Sequence, residues 1–205
     1  VRVPPSGLSH PYLQLQPPGV YHGSWVLVGD WLTRHRIGFE LDLSEACLAL
    51  AGQIAGDELA RRACGGTVRV RVGNGFAHLD AMGGECDLVL IDPPYWSDPA
   101  GDWTAVTRTA QRLGHRDTPF LIWYPLNDPG RRAALLAAAR GTAHEILWRQ
   151  SESGRGGGGA GVVLGNLPVA RLVRESPQLE ALARILGGRY GCVGSGGWMS
   201  GGRRL

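Results

Sequence analysis

The tetrapeptide Asp92-Pro93-Pro94-Tyr95 puts a carboxylate, two ring-locked backbone positions and an aromatic ring directly after the apolar run Cys86 to Ile91. That set of groups suits chemistry on an exocyclic amino group such as that of adenine. The nitrogen is a poor nucleophile, because its lone pair is delocalised into the ring. It must be held and oriented before it accepts a methyl group. A carboxylate can accept one amino hydrogen and a backbone carbonyl the other. Two prolines fix the turn at little entropic cost, which aims the Pro93 carbonyl beforehand. The ring of Tyr95 can stack on a base taken out of its helix. Positive charge develops on the nitrogen as a methyl group leaves a sulfonium, and Asp92 would stabilise that charge and later take the proton. Direct transfer needs no covalent protein intermediate, so none of the four cysteines is required as a nucleophile. A strand that ends in Asp-Pro-Pro also makes an ordinary turn, and the tetrapeptide alone is only moderately specific.

The elements that must position this corner can be read from period and punctuation. Trp25 to His35 reads as a buried helix with Ser24 as its N-cap. Arg36 to Leu41 reads as a short strand that ends in the acid Glu40, and Ser44 caps a helix reaching about Ala63. Thr67 to Val72 alternates strictly, which predicts a strand running into the turn Gly73-Asn74-Gly75. Cys86 to Ile91 suits a strand buried on both faces. Trp103 to Leu113 reads as a helix and Pro119 to Tyr124 as another buried strand. Asp128-Pro129 opens a helix that Gly141 stops. His144 to Trp148 and Gly161 to Leu164 read as strands joined by the flexible Gly154 to Gly159. Ser176-Pro177 starts a helix to Leu186, and a loose glycine-rich tail follows. Strands alternating with helices imply an α/β fold with a doubly wound, mostly parallel sheet.

Ligands of such sheets bind beyond the carboxyl ends of the strands. Glu40, Asn74 and Asp92 all fall at expected strand ends. A carboxylate there can accept from both hydroxyls of a ribose, as S-adenosylmethionine (SAM) would require, and Glu40 is the candidate. Asn74, Gly75 and Phe76 could meet the edge and face of the cofactor's adenine. Ser24 is either a helix cap or a contact to the methionine end. The plainer readings are a solvated acid at Glu40 and a simple turn at Asn74-Gly75.

Composition bounds the class. The chain has 205 residues, 43% of them hydrophobic, which suits an ordinary globular core. No apolar run approaches the ~18–20 residues that cross a bilayer. The N-terminus lacks the charged-then-apolar order of a signal peptide, so the cytoplasm is the expected compartment. Cys47, Cys64, Cys86 and Cys192 form no C-x-x-C pair, and His22 and His35 sit in no metal-ligand pattern, so no metal is expected. All 21 basic residues are arginine, and the net charge of +3 is too small to identify a nucleic-acid partner by itself.

The stretches Tyr21-His22-Gly23-Ser24, Phe39-Glu40-Leu41, Gly73-Asn74-Gly75-Phe76, Leu90-Ile91-Asp92-Pro93-Pro94-Tyr95 and Leu121-Ile122-Trp123-Tyr124-Pro125 carry a resemblance. In order and spacing, from about residue 20 to about residue 190, the chain resembles the RlmJ-type 23S ribosomal RNA adenine-N6 methyltransferases. Asp-Pro-Pro-Tyr is shared by many amino-methyltransferases, whereas Trp-Tyr-Pro is more particular to this family. The resemblance implies a Rossmann-like class I SAM-dependent methyltransferase fold, SAM as cofactor and an adenine of 23S ribosomal RNA as acceptor. It implies Asp92 as the catalytic acceptor and Ser24, Glu40, Asn74 and Gly75 as contacts to SAM. Asn74 stands where the family usually has Asp, and His22 where it usually has Pro. Residues 1–20 hold neither the family's first strand nor its glycine-rich SAM loop. The expected organisation is therefore an irregular arm at 1–20, an N-terminally incomplete methyltransferase-like domain at 21–190 and a glycine-rich tail at 191–205, with a monomer favoured. The missing loop keeps a second expectation open: a catalytically degenerate module that binds RNA or a partner. A DNA adenine methyltransferase is the third, weakened because no separate target-recognition domain is read.

Overall fold

The computed structural model describes residues 24–56, 66–82, 86–95, 98–150, 158–167, 192–200 and 203–204. The arm at 1–20, the helix from Ser176 to Leu186 and the stretch approaching Ala63 lie outside the described residues. The chain divides into two compact units, Val1–Gly83 and Gly84–Leu205.

The first unit contains α1 (Ser24–Arg34), β1 (Glu40–Glu45), α2 (Leu48–Gly56), β2 (Thr67–Val72) and α3 (Gly75–Ala81). β1 and β2 pair in parallel, from Glu40 opposite Thr67 to Glu45 opposite Val72. Polar residues of both strands share one face, as the period of two requires. Arg69 Nη1 donates to Glu40 Oε2 at 2.9 Å, and Arg71 donates to both carboxylate oxygens of Asp42 at 3.0 and 3.1 Å. These diagonal pairs explain a difference from expectation. The alternation Leu41-Asp42-Leu43-Ser44 continues as strand because its acids meet the arginines of β2. Glu40 therefore opens β1 instead of closing it. Ser44 is a strand residue, and Glu45 Oε1 accepts from the Cys47 amide at 2.8 Å just before α2 begins.

The second unit contains β3 (Val89–Ile91), α4 (Pro99–His115), β4 (Phe120–Pro125), α5 (Pro129–Ala139), β5 (Thr142–Gln150), β6 (Gly158–Gly165), β7 (Cys192–Ser200) and β8 (Arg203–Arg204). Its sheet has the order β3-β4-β6-β5-β7-β8. Only β3 and β4 are parallel; the four other ladders are antiparallel. The expected mostly parallel sheet is thus a mixed one. For β6 the reason is the connection: the short link from Gln150 to Gly158 can join antiparallel neighbours, whereas a parallel crossover needs about a dozen residues or more.

The core of this unit lies under α4 and α5. Val106, Ala110, Phe120, Ile122, Tyr124, Leu135, Ala143 and Val163 are fully buried. β4 alternates fully and partly buried positions, so one of its faces is closed and the other half-covered. β6 makes room for β4's aromatics with glycines. Gly161 pairs with Tyr124 and Gly165 with Phe120, and a Cβ at either glycine would collide with the facing ring. Asp128 Oδ1 accepts from the Arg131 amide at 3.0 Å, so the cap read from the sequence is made. The helix ends on Arg140 in the left-handed conformation (φ 49°), and Gly141 is needed because a Cβ there would strike the Leu164 carbonyl. Cys192–Ser200, read as part of a loose tail, pairs along its whole length with β5.

Candidate functional site

β3 delivers Asp92 to its carboxyl end. Val89 and Ile91 are buried and hold the strand, while Leu90 and Asp92 remain open to solvent, so β3 is closed on one face where the apolar run suggested two. Among the described residues nothing donates to the Asp92 carboxylate, and desolvation alone pushes its pKa above the ordinary value. A carboxylate without an internal partner, made costly to ionise by its surroundings, is suited to accept hydrogens from an incoming amino group.

Tyr95 does not present its ring to solvent. It is 7% exposed, tilted against Trp103 (centroids 5.1 Å apart) and Trp123 (5.7 Å). Its hydroxyl donates to the Trp123 carbonyl at 2.9 Å, and its backbone N–H donates to Asp102 Oδ2 at 3.0 Å. Burial first, then the charges of Asp102 and Asp92, push the phenol far above its usual value, so it stays a neutral donor. The stacking role expected for Tyr95 is therefore not available in this conformation; the ring anchors the corner from inside. Its backbone is left-handed (φ 59°), which costs a non-glycine residue roughly 1–2 kcal/mol. Pro93 is half-buried and Pro94 exposed between the open acid and the buried ring.

In the first unit, Asn74 follows β2 and caps α3. Its Oδ1 accepts from the amides of Phe76 at 2.9 Å and Ala77 at 3.4 Å. The amide NH2 of Asn74 has no acceptor among the described residues. Gly73 has φ 147°, a conformation that favours glycine, and a Cβ at Gly75 would come within 3.3 Å of the Ser44 Cβ. Phe76 is half-buried, and Ser24 is the first residue of α1. Glu40 stands at the opposite end of β1 from this loop, roughly 16 Å along the strand at ~3.3 Å per residue. Glu45 occupies the carboxyl end instead, with its carbonyl accepting from the Gly73 amide at 3.0 Å. The sequence signal for Glu45 was the uninterrupted alternation from Leu41 onward. Each unit thus brings its own candidates together: Asp92, Pro93 and Tyr95 on one corner, and Asn74, Gly75 and Phe76 at one strand end, with Glu40 away from it.

Sequence reading also missed Asp102, which sits in the first turn of α4. Its signal was only its place four residues beyond the cap Asp98. Among the described residues there is no cluster of metal-ligating side chains, and no helix is long and apolar enough to cross a membrane.

Fold and site together define a mixed α/β protein with parallel strands and an acid at a strand's carboxyl end. No family model matches the chain, and no curated protein matches it either. The fold is similar to the crystal structure of protein LPL1258 from Legionella pneumophila str. Philadelphia 1, described under the family model DUF519, with a TM-score of 0.61 and 17% sequence identity over 80% of this chain. The chain spans 61% of that protein's length. At this identity the likeness is one of fold alone.

Proposed function

We propose that the chain is a Rossmann-like, SAM-dependent methyltransferase acting on the exocyclic N6 amino group of an adenine in 23S ribosomal RNA. The observation that carries this reading is Asp92: a solvent-open, partly desolvated carboxylate without a partner among the described residues, at the end of a strand buried on one face and on a corner locked by two prolines. The Asp92 carboxylate accepts one amino hydrogen and the Pro93 carbonyl the other. Tyr95 anchors the corner.

The residues at the carboxyl end of the first unit's parallel pair suit a nucleoside cofactor. Glu45 offers a carboxylate to ribose hydroxyls, and the amide NH2 of Asn74 offers donors to the adenine edge; Glu40, held by Arg69, does not suit this role. SAM would supply an electrophilic methyl group on a sulfonium. The chain's own part is to hold the amino group, keep the acceptor carboxylate ready and take the proton released from nitrogen.

The test is transfer of a labelled methyl group from SAM to protein-free 23S ribosomal RNA, with duplex DNA as the competing acceptor. Wild type should label the RNA and Asp92→Ala should not. Undiminished labelling by Asp92→Ala rejects the site, and preferential labelling of DNA rejects the acceptor. The position of Glu40 favours one further reading, a non-catalytic RNA- or partner-binding module. Calorimetry that gives no heat with SAM from the folded chain would support that module.

A further inference from the structure

We propose that Asp102 is a positioning residue that locks the Asp92-Pro93-Pro94-Tyr95 corner by holding Tyr95 in its left-handed conformation. The N–H of Tyr95 donates to Asp102 Oδ2 at 3.0 Å in a part-buried position, where a hydrogen bond to a charged acceptor is stronger than one to a neutral group. Tyr95 is the only residue in the tetrapeptide with a positive φ, and an aromatic residue does not adopt that conformation unaided. Strain of this kind persists only where the surroundings over-determine it. Here three contacts do so: the amide to Asp102, the hydroxyl to the Trp123 carbonyl, and the ring between Trp103 and Trp123. The hydroxyl and the ring fix the side chain. Among the described residues Asp102 is the one partner of the Tyr95 backbone N–H, so it ties the end of the Pro-Pro turn to the start of α4.

The start of α4 is built to place that carboxylate. Asp98 Oδ1 accepts from the Gly101 amide at 3.0 Å, and the Asp102 amide donates to the Asp98 carbonyl at 2.9 Å. A Cβ at Gly101 would meet the Asp98 carboxylate and push it from its capping position. With Asp98 serving as the cap, Asp102 is released from capping and turns back to Tyr95. The simpler role for an acid in a helix's first turn is a favourable interaction with the helix dipole, which is independent of Tyr95.

The kinetic part of this inference rests on the proposed methyl transfer; the structural part does not, and the experiment separates them. Amide hydrogen exchange at Tyr95 is measured by NMR in the full chain for wild type, Asp102→Asn, Asp102→Ala and Asp102→Glu. Asparagine keeps an acceptor in place, alanine removes it, and glutamate keeps the charge but moves the acceptor by one methylene. Tyr95 should exchange at least tenfold faster than wild type in D102A and D102E, and D102N, whose neutral acceptor keeps part of the bond, should lie between wild type and D102A. If D102A does not fold, D102E carries the same contrast. In the transfer assay kcat should fall at least tenfold in D102A and D102E with KM for RNA unchanged, and D102N should restore it in part. Wild-type exchange at Tyr95 in D102A or D102E overturns the inference, as does a D102N variant that behaves like D102A. If wild type transfers no methyl group, the catalytic reading is lost, and the exchange rates still decide whether Asp102 holds the corner.

Discussion

Asp92 is held at a cost, and that cost is measurable. Its folded-state pKa is raised by desolvation, so the folded chain binds its proton more tightly than the unfolded chain does. The sign follows: as pH rises through the ordinary aspartate range and up to the raised value, this group lowers stability, and above that value the loss is complete. Asp92→Asn should therefore raise the melting temperature at neutral pH, with the gain fading below the ordinary aspartate pKa. A D92N variant less stable than wild type at pH 7 would contradict the desolvated environment. The place of Asp92 just beyond a strand was legible in the sequence, because the apolar run before it stops at the acid. The conformation of Tyr95 was not. Side-chain type says nothing about a left-handed backbone, and the partner that holds it, Asp102, lies on another element with no pattern linking the two.

At the level of elements, the row Tyr124–Gly161–Glu145 shows how β4, β6 and β5 are fastened. Gly161 lies opposite both Tyr124 and Glu145. Lacking a side chain, it lets the Tyr124 hydroxyl reach across β6 and donate to Glu145 Oε1 at 2.6 Å. Arg132 of α5 donates to the same carboxylate at 2.6 and 2.8 Å, which ties the helix to the sheet. Gly161→Ala forces a methyl group into the Tyr124 ring and should cost about 1–3 kcal/mol. Glu145→Ala strands a buried hydroxyl and a half-buried guanidinium and should cost about 3–5 kcal/mol. The two share Tyr124, so the double variant should lose less than the sum in denaturant unfolding. Strict additivity would contradict the shared row. β2 and β4 were readable from alternation and from an unbroken apolar run. The start of β1 was misread because Glu40 looked like a terminus, when its ion pair with Arg69 makes it the first rung. β7 was hidden by its glycines: a ladder needs only backbone groups, so Gly194 opposite Trp148 and Gly196 opposite Ile146 pair without any β-forming side chain.

For the molecule as a whole, the proposed transfer needs two tasks, nucleoside recognition and a hold on the amino group. Variants should separate these tasks. Glu45→Ala should weaken SAM binding at least tenfold by calorimetry, and Glu40→Ala should change it less than twofold. Asp92→Asn should leave SAM affinity within about threefold of wild type. A larger effect at Glu40 than at Glu45 would mean that the strand register misassigns the ribose carboxylate. The α/β class and most element positions followed from period and punctuation. The mixed sheet did not, because strand direction depends on how long each connection is, and Gly154 to Gly159 was read only as flexible. The most direct test of the central claim is nucleoside mass spectrometry of protein-free 23S ribosomal RNA after incubation with SAM and the chain. N6-methyladenosine should accumulate with wild type and stay at background with Asp92→Asn. Its absence with a wild-type chain that binds SAM, or equal accumulation with the Asp92→Asn chain, would contradict the assignment.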